Sequence, residues 1–211
     1  MDKLIIQAKL KTPFIKVGFM TLDGLLAALK FDELKDVEQA HQSIPLKNTQ
    51  GLFHASAALF EPIEISKEVF IAALHEQHSI DPDLILKKSN GQLHRKFDSS
   101  FTNVLNTYKK VTASKITWYA EGDADEIQRL LSPVSFIGKR RASGFGEVES
   151  WSFERGDLDG ILGNFDEPLR PIPIEMFQGD KEAYPIMDAA WKPAYWDVMN
   201  RRACYAPALE D

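Results

Sequence analysis

The residues between Phe136 and Phe153 hold the clearest chemical signal in this sequence, because a basic loop bounded by glycines leads into a strand-like run. Glycine has no Cβ, so Gly138, Gly144 and Gly146 allow a ligand to approach the backbone closely. Backbone N–H groups and fixed cations suit a ligand that carries phosphates. We therefore predict phosphate binding here, the alternative being a tight turn with a solvated basic edge. The polar side chains of the loop are Lys139, Arg140, Arg141 and Ser143.

The loop differs from the two common nucleotide-binding motifs. A P-loop ends in Gly-Lys-Ser/Thr after four spacer residues, whereas Lys139 precedes Gly144 and Gly146 here. The dinucleotide fingerprint needs a third glycine and a following helix, but Gly146 leads into Glu147 and a predicted strand. The sequence therefore predicts no cofactor.

Two histidines could in principle bind a metal. His75 and His78 are three residues apart, a spacing that can place both imidazoles on one face of a helix. No third ligand follows at a recognised distance, and the spacing is not the four residues of the usual zinc-protease motif. We therefore predict solvated histidines and no metal site.

A second basic segment contains an aromatic ring. His94 opens the run His94-Arg-Lys-Phe-Asp98, in which Arg95 and Lys96 precede Phe97. Aromatic rings can stack on unpaired bases while neighbouring cations hold phosphates. RNA contact is one interpretation of this segment, and a core position for Phe97 is the other.

Length and composition place limits on the class of protein. With 211 residues, of which 44% are hydrophobic, the chain can bury a sizeable core, and we expect one compact unit with insertions. The sequence contains no run of about 18 apolar residues, so we predict no membrane span. The first residues lack the layout of a signal peptide. Cys204 is the only cysteine, which excludes an internal disulfide and predicts a reducing cytoplasm.

The net charge of −6 hides an uneven distribution. Between Lys87 and Arg141 there are eleven basic and five acidic residues, a surplus of six positive charges. The residues after Arg141 include six basic and fourteen acidic ones, a surplus of eight negative charges. This distribution favours a protein with one basic face inside a larger assembly over an independent nucleic-acid binder. A chance excess of solvated lysines is the alternative.

Each half of the chain predicts a strand followed by a helix. Lys3 to Lys11 alternates in polarity, and the leucines from Leu22 to Leu29 then recur at helical spacing. In the second half Ile116 to Ala120 alternates, and Asp123 can cap a helix with a stripe of apolar residues from Ile127. The run Val148 to Phe153 then reads as a further strand. The run Gly51 to Phe60 is compatible with a buried strand or a short helix.

These patterns predict an α+β protein with a ferredoxin-like (RRM-like) β-α-β-β-α-β core. The core domain would span residues 1–154, with a long central insertion at about 45–110. Residues 155–170 would form a surface connection, because they are acidic and contain glycine. The remainder of 155–211 would be an irregular tail packed on the domain or on a partner, since its aromatic side chains would otherwise form a sticky surface.

The loop Gly138-Lys-Arg-Arg-Ala-Ser-Gly-Phe-Gly146, following a capped amphipathic helix, resembles the glycine-rich loop of the RAMP superfamily of CRISPR-associated RNA-binding proteins. Leu22-Asp-Gly-Leu-Leu-Ala27, Phe53-His-Ala-Ser56 and Ala120-Glu-Gly-Asp123 narrow the resemblance to the small Cas-five-like Csf subunit of type IV CRISPR effector complexes. The similarity covers about residues 1–154. In the tail, Arg170-Pro-Ile-Pro173 shows a looser similarity to the same subunit.

The resemblance implies a non-catalytic subunit of an antiviral ribonucleoprotein that caps the 5′ handle of the crRNA. It implies further partners: a repeated backbone subunit, a large subunit and, indirectly, the target DNA, with no membrane. The central insertion would act as a thumb on the guide. Handle contacts would come from Gly138, Lys139, Arg140, Arg141, Ser143, Gly144 and Gly146, and further RNA contacts from His54, Ser56, Arg95 and Lys96.

An enzyme is the competing hypothesis, since some relatives process the repeat RNA without a metal. Such a nuclease would use a histidine as general acid or base and a cation to stabilise the transition state. His54 and His94 are the candidates. Against this, the processing relatives carry their glycine loop near the C-terminus, and 65 residues follow Gly146 here. A third alternative is a protein of this fold that binds only other proteins.

Overall fold

The computed structural model describes residues 1–72 and 104–207. Contacts divide the chain into two compact units, the first formed by Met1–Glu64 with Val111–Asp211 and the second by Ile65–Lys110. The elements are β1 (Asp2–Leu10), β2 (Phe14–Ile15), α1 (Leu22–Leu34), α2 (Val37–Gln42), β3 (Asn48–Thr49), β4 (Leu52–Phe53), β5 (Glu64–Ala72), β6 (Val104–Thr112), β7 (Lys115–Gly122), α3 (Ala124–Leu131), β8 (Val148–Arg155), β9 (Ile172–Pro173), β10 (Ile186–Ala190) and β11 (Arg201–Tyr205).

The first unit is built on an antiparallel sheet in which β1 lies between β7 and β8. The period of two predicted for β1 and β7 is confirmed, because Leu4, Ile6 and Ala8 are buried on one face beside Ile116 and Trp118. Side chains that alternate in this way leave the intervening residues on the opposite, more polar face. The protein is therefore a mixed α and β structure with an antiparallel sheet.

Helices α1 and α3 contact each other, and their buried leucines and isoleucine join the same core as β1 and β7. The predicted cap of α3 is confirmed, since the Asp123 carboxylate accepts a hydrogen bond from the Glu126 N–H at 3.2 Å. Arg129 connects the helices, because it reaches Glu33 of α1 at 2.7 Å as well as Glu126. Hydrogen bonds from Arg129 and Lys30 lower the pKa of Glu126 to about 2. Among the described residues no helix is long and apolar enough to cross a membrane.

An irregular, buried segment runs along the outer edge of β7. Leu46, Ala55 and Leu59 form isolated antiparallel bridges with residues of β7, and the stretch from Leu52 to Ala58 is buried throughout. This settles the choice left open for Gly51 to Phe60, which is neither a regular strand nor a helix apart from the two residues of β4. The edge of the sheet is thereby covered without a complete fourth strand.

The tail contains its own small antiparallel sheet, in the order β10, β11, β9. A second cluster of buried side chains lies here, and it includes Leu52 from the irregular segment. Phe177 stacks on Tyr205 with ring centroids 4.4 Å apart. The tail is therefore integrated into the first unit, and the prediction that it is irregular is wrong for its three strands. The other buried members of this cluster are Ile172, Ala189, Trp191 and Cys204.

Arg170 attaches the tail to α1. Its side chain is 0% exposed, and its guanidinium lies 3.0 Å from the carboxylate of Asp23, which is also 0% exposed. The Tyr195 hydroxyl donates to the same carboxylate at 2.8 Å, and burial raises the pKa of this phenol well above its usual value. The prediction of a surface connection over residues 155–170 is therefore wrong at its end. A charged residue is buried only when paired, and the pairing could not be read from neighbouring positions.

The second unit contains most of β5 and β6, which lie side by side. Phe70 of β5 meets Tyr108 of β6 with ring centroids 5.8 Å apart, and Lys110 bonds Glu68 at 2.8 Å. Ile71 and Leu105 are exposed by 72% and 66%. The described part of the second unit is thus a pair of strands with apolar side chains facing solvent, whereas residues 45–64 of the predicted insertion belong to the first unit.

Candidate nucleic-acid interface

Backbone hydrogen bonds fix the base of the basic glycine loop, defined here as residues 138–146. The N–H of Ile137 donates to the carbonyl of Gly146 at 2.9 Å, which closes the loop on itself. Gly146 in turn donates to Pro13 at 2.8 Å, and Lys139 donates to Ile15 at 3.2 Å. The loop therefore stands on the short segment that follows β1, and its backbone is held at both ends.

The three glycines have different structural roles. A Cβ on Gly138 would lie 2.9 Å from the carbonyl oxygen of Ile15, and one on Gly146 would lie 1.9 Å from that of Ile137. Their φ angles of 81° and 73° also disfavour any other residue. Gly144 has a φ of 85° but nothing within 4 Å of its Cβ position. Protein packing thus requires Gly138 and Gly146, while Gly144 leaves open space; ligand contact by all three stays a prediction.

The polar side chains of the loop lie mostly at the surface. Lys139, Arg141 and Ser143 are exposed, and Arg140 is half-buried in a left-handed conformation with a φ of 60°. Arg141–Ser143 form a single turn of 3-10 helix. Because the backbone beneath is held in place, these side chains start from fixed positions, which lowers the entropic cost of binding an anion.

Lys11 and Thr12, which follow β1 and contact the loop or the residue after it, were not predicted from the sequence. The Thr12 hydroxyl donates to the carbonyl of Gly144 at 2.9 Å and accepts from the N–H of Glu147 at 2.9 Å. Lys11 pairs with the Glu147 carboxylate at 3.0 Å, so this acid beside the loop already has a cation. Thr12 and Lys11 lie more than 130 positions from the residues that they bond, and no local pattern connects them.

A cavity of about 740 Å³ opens beside the loop. Gly138 and Lys139 form one side, and the first turn of α1 and strand β10 form others. Trp118 lines the cavity with its indole N–H already bonded to the carbonyl of Met20 at 3.0 Å. Because these elements come from four separate parts of the sequence, the cavity could not have been predicted. Further lining residues are Val17, Phe19, Leu25, Ile137, Ala189 and Tyr195.

His54 is buried, 7% exposed, with both ring nitrogens bonded to protein groups. One nitrogen, Nε2, lies 2.8 Å from the Thr49 hydroxyl, and Nδ1 lies 3.0 Å from the Asp159 carboxylate. Burial lowers the pKa of His54, and the attraction of Asp159 only partly opposes this. His54 is therefore held in a fixed orientation at the edge of a second cavity of about 420 Å³.

Glu121 and Asp159 stand close enough to His54 that the three could share a metal ion, their ligand atoms lying within 4.8 Å of one another. Lys47, however, bonds both oxygens of Glu121 at 3.0 Å. Since the Lys47 ammonium already supplies a positive charge to this carboxylate, we interpret the three residues and Lys47 as a salt-bridge network.

Ser56 is completely buried. Its hydroxyl donates to the carbonyl of Ala57 at 2.8 Å and accepts from the N–H of Tyr119 at 3.0 Å, which ties the irregular segment to β7. RNA contact by His54 and Ser56 stays a prediction, and both have structural partners. The predicted contacts Arg95 and Lys96 lie outside the described residues, as do His75, His78 and His94.

Comparison of the sequence with protein-family models matches residues 2–207 to the family described as CRISPR type IV associated protein Csf3. The match covers nearly the whole chain, including both the basic glycine loop and the tail. A search of curated proteins finds no match.

Proposed function

The chain belongs to the Csf3 family of type IV CRISPR-associated proteins, and we propose that it is the non-catalytic subunit that binds and caps the 5′ handle of the crRNA. The membership makes it a subunit of a type IV CRISPR complex. The finer assignment is that the basic glycine loop holds the handle backbone, in a ribonucleoprotein located in the cytoplasm.

The observation that carries this proposal is the architecture of the loop. Exposed Lys139 and Arg141 and the hydroxyl of Ser143 stand on a backbone that is bonded at both ends to other parts of the protein. Cations in fixed positions can neutralise successive phosphates of a single strand and release the counterions. Gly144 adds a place where a sugar or phosphate can approach the chain closely.

The fold supports the same assignment. We infer a ferredoxin-like core in which the irregular segment takes the place of the fourth strand, giving the order segment, β7, β1, β8. Within this proposal residues 1–154 form the domain with its insertion, and residues 155–211 form the packed tail. The insertion would act as a thumb on the first part of the guide, with Arg95 and Lys96 as contacts.

The proposed partners follow from the same role. A repeated backbone subunit would coat the guide beyond the handle, and a large subunit would lie nearby, with target DNA as the eventual ligand of the complex. The part of the chain after Arg141, which includes the tail and holds an excess of eight negative charges, suits protein partners with basic surfaces better than it suits RNA.

The test replaces Lys139, Arg140 and Arg141 together by alanine and measures affinity for the host's own repeat–spacer RNA over a range of salt concentrations. We expect weaker binding and a salt slope smaller by up to about 2, the value for three phosphate contacts on a single strand. A matched control removes three exposed cations elsewhere, by Lys35→Ala, Arg155→Ala and Lys181→Ala. Unchanged affinity of the loop variant, or an equal loss in the control, would refute the proposal.

The same RNA, run on a denaturing gel, tests the competing nuclease hypothesis. Intact RNA retained in the complex is expected of a capping subunit. A discrete, metal-independent cut within the repeat that His54→Gln or His94→Gln abolishes would make the protein the processing enzyme instead.

A further inference from the structure

The cavity beside the basic glycine loop combines an apolar interior with charged groups at its opening. The accessible apolar lining comes from exposed Val17 and from the half-buried Phe19 and Leu25. Trp118, Ile137 and Ala189 lie beneath this surface, at 1%, 2% and 4% exposed. Lys139 lines the same cavity from the loop, and Arg201 lines it from the tail. At about 740 Å³ the volume lies within the range of small-molecule sites.

Two of the charged groups that line the cavity, Arg201 and Asp188, are bonded to each other. Arg201 donates to the Asp188 carboxylate at 2.7 and 2.9 Å, which holds this side of the opening in place. Trp118 is 1% exposed and its N–H is bonded to Met20, so the accessible aromatic surface comes from the half-buried Phe19 and Tyr195. A ligand in this cavity would therefore be held by surface contact and stacking more than by hydrogen bonds.

We propose that this cavity takes one unstacked nucleobase from the RNA strand whose phosphates lie on the loop. The inference rests on the proposed function and adds a specific subsite to it, with the tail as one wall. A flat, largely apolar body joined to a phosphate is the chemistry that fits an apolar interior with Lys139 at its opening. Bases splayed from a single strand are commonly held on aromatic side chains in this way.

The same observations separate a base from an apolar peptide side chain. A side chain would use the interior but not the loop, whereas a nucleotide would use both at once because Lys139 belongs to both. The predominance of surface contact also predicts that the four bases are accepted to a similar degree, while the absence of a base is not.

The experiment scans the 5′ handle of the host's repeat–spacer RNA with single abasic sites and measures affinity for the full-length protein. We expect one position at which losing the base weakens binding by at least about five-fold, the lower end of what one stacked base contributes. Exchanging the four bases at that position is expected to change affinity by much less than removing the base.

A bulky substitution at the opening of the cavity tests whether this base enters it. Val17 is 51% exposed and lines the cavity, so Val17→Trp fills space at its opening. We expect the variant to bind intact RNA about as weakly as the wild type binds the abasic RNA, and to be insensitive to the abasic site. Val37→Trp is the matched control, because Val37 has a similar exposure of 45% but lies in α2 away from the cavity.

A second readout does not depend on folding of the variant. Photo-crosslinking of the wild type through 5-iodouridine at the sensitive position should attach the RNA to peptides containing Phe19 or Tyr195, the accessible aromatic residues of the cavity. A crosslink elsewhere overturns the proposal. So does an abasic scan without a sensitive position, or an equal sensitivity in Val17→Trp.

The outcomes also separate this inference from the function on which it rests. RNA binding that depends on the loop, combined with a flat abasic scan, removes the base subsite and leaves handle binding intact. Absence of RNA binding by the wild type, alone and with its partners, overturns both.

Discussion

Replacing Arg170 by methionine should destabilise the first unit strongly. Methionine keeps much of the volume of the side chain but removes the positive charge that lies 3.0 Å from Asp23. The carboxylate would then remain buried, 0% exposed, and among the described residues the Tyr195 hydroxyl would be its remaining side-chain donor. The change therefore isolates the electrostatic role of Arg170 from its packing.

The expected loss in the free energy of unfolding is about 4 kcal/mol. Removing one partner of a buried ion pair typically costs about 3–5 kcal/mol, because the remaining charge is uncompensated. Arg170 also donates to the carbonyls of Phe53, Ala55 and Trp191 at 2.6, 3.0 and 2.7 Å, and these acceptors would lose a charged donor. In a chain of this length the loss corresponds to a decrease in the melting temperature of roughly 8–16 °C.

Urea unfolding followed by tryptophan fluorescence measures the effect, and Arg201→Met provides the control. Arg201 pairs with Asp188 at 2.7 Å, but this pair is exposed by 42% and 67%, so its loss should cost less than about 1 kcal/mol. In the double variant Arg170→Met and Asp23→Leu, a substantial part of the stability should return, since no charge remains buried. Equal losses for Arg170→Met and Arg201→Met would refute the reasoning.

Two further predictions concern the loop and the buried histidine. Gly144→Ala should lower the free energy of unfolding by about 1–2 kcal/mol, because of its left-handed backbone alone. Gly146→Ala should lower it further, because its Cβ would lie 1.9 Å from the carbonyl oxygen of Ile137. Thermal unfolding measures both variants, and equal losses would contradict this. The folded-state pKa of His54 is lowered from 6.5, mainly by burial, so the unfolded chain binds the proton more readily and stability should rise as pH increases towards about 7. His54→Gln should flatten this rise in urea titrations between pH 5 and 7, and an unchanged profile would count against it.

Local sequence patterns predicted the structure correctly where an element contacts the core with a regular period or is capped by a nearby side chain. The strand of Leu4, Ile6 and Ala8 and the cap at Asp123 followed from alternation and from side-chain chemistry within a few residues. The family resemblance through the glycine loop is likewise confirmed by the match over residues 2–207. For the strand and the cap, the residues that determine the structure lie close to each other in the sequence.

Features that depend on distant residues were not predictable. The irregular segment is buried along the edge of β7, so it shows no period that would distinguish a strand from a helix. The buried position of Arg170 depends on Asp23, 147 positions earlier. The sequence likewise gave no sign that Gly138 and Gly146 pack against backbone carbonyls, nor that the tail forms a wall of the cavity.

The separation of Asp23 and Arg170 also has a consequence in time. A chain emerges from the ribosome at about 5–20 residues per second, so Asp23 precedes its partner by roughly 7–30 s. The sheet is complete only when β8, which ends at Arg155, has emerged, so α1 can pack on the whole sheet shortly before Arg170 appears. Until Arg170 appears, the Asp23 carboxylate lacks its cation, which opposes burial of this end of the helix. We therefore expect burial of Asp23 to be completed only after Arg170 has emerged, so that this ion pair forms only in chains that include the tail.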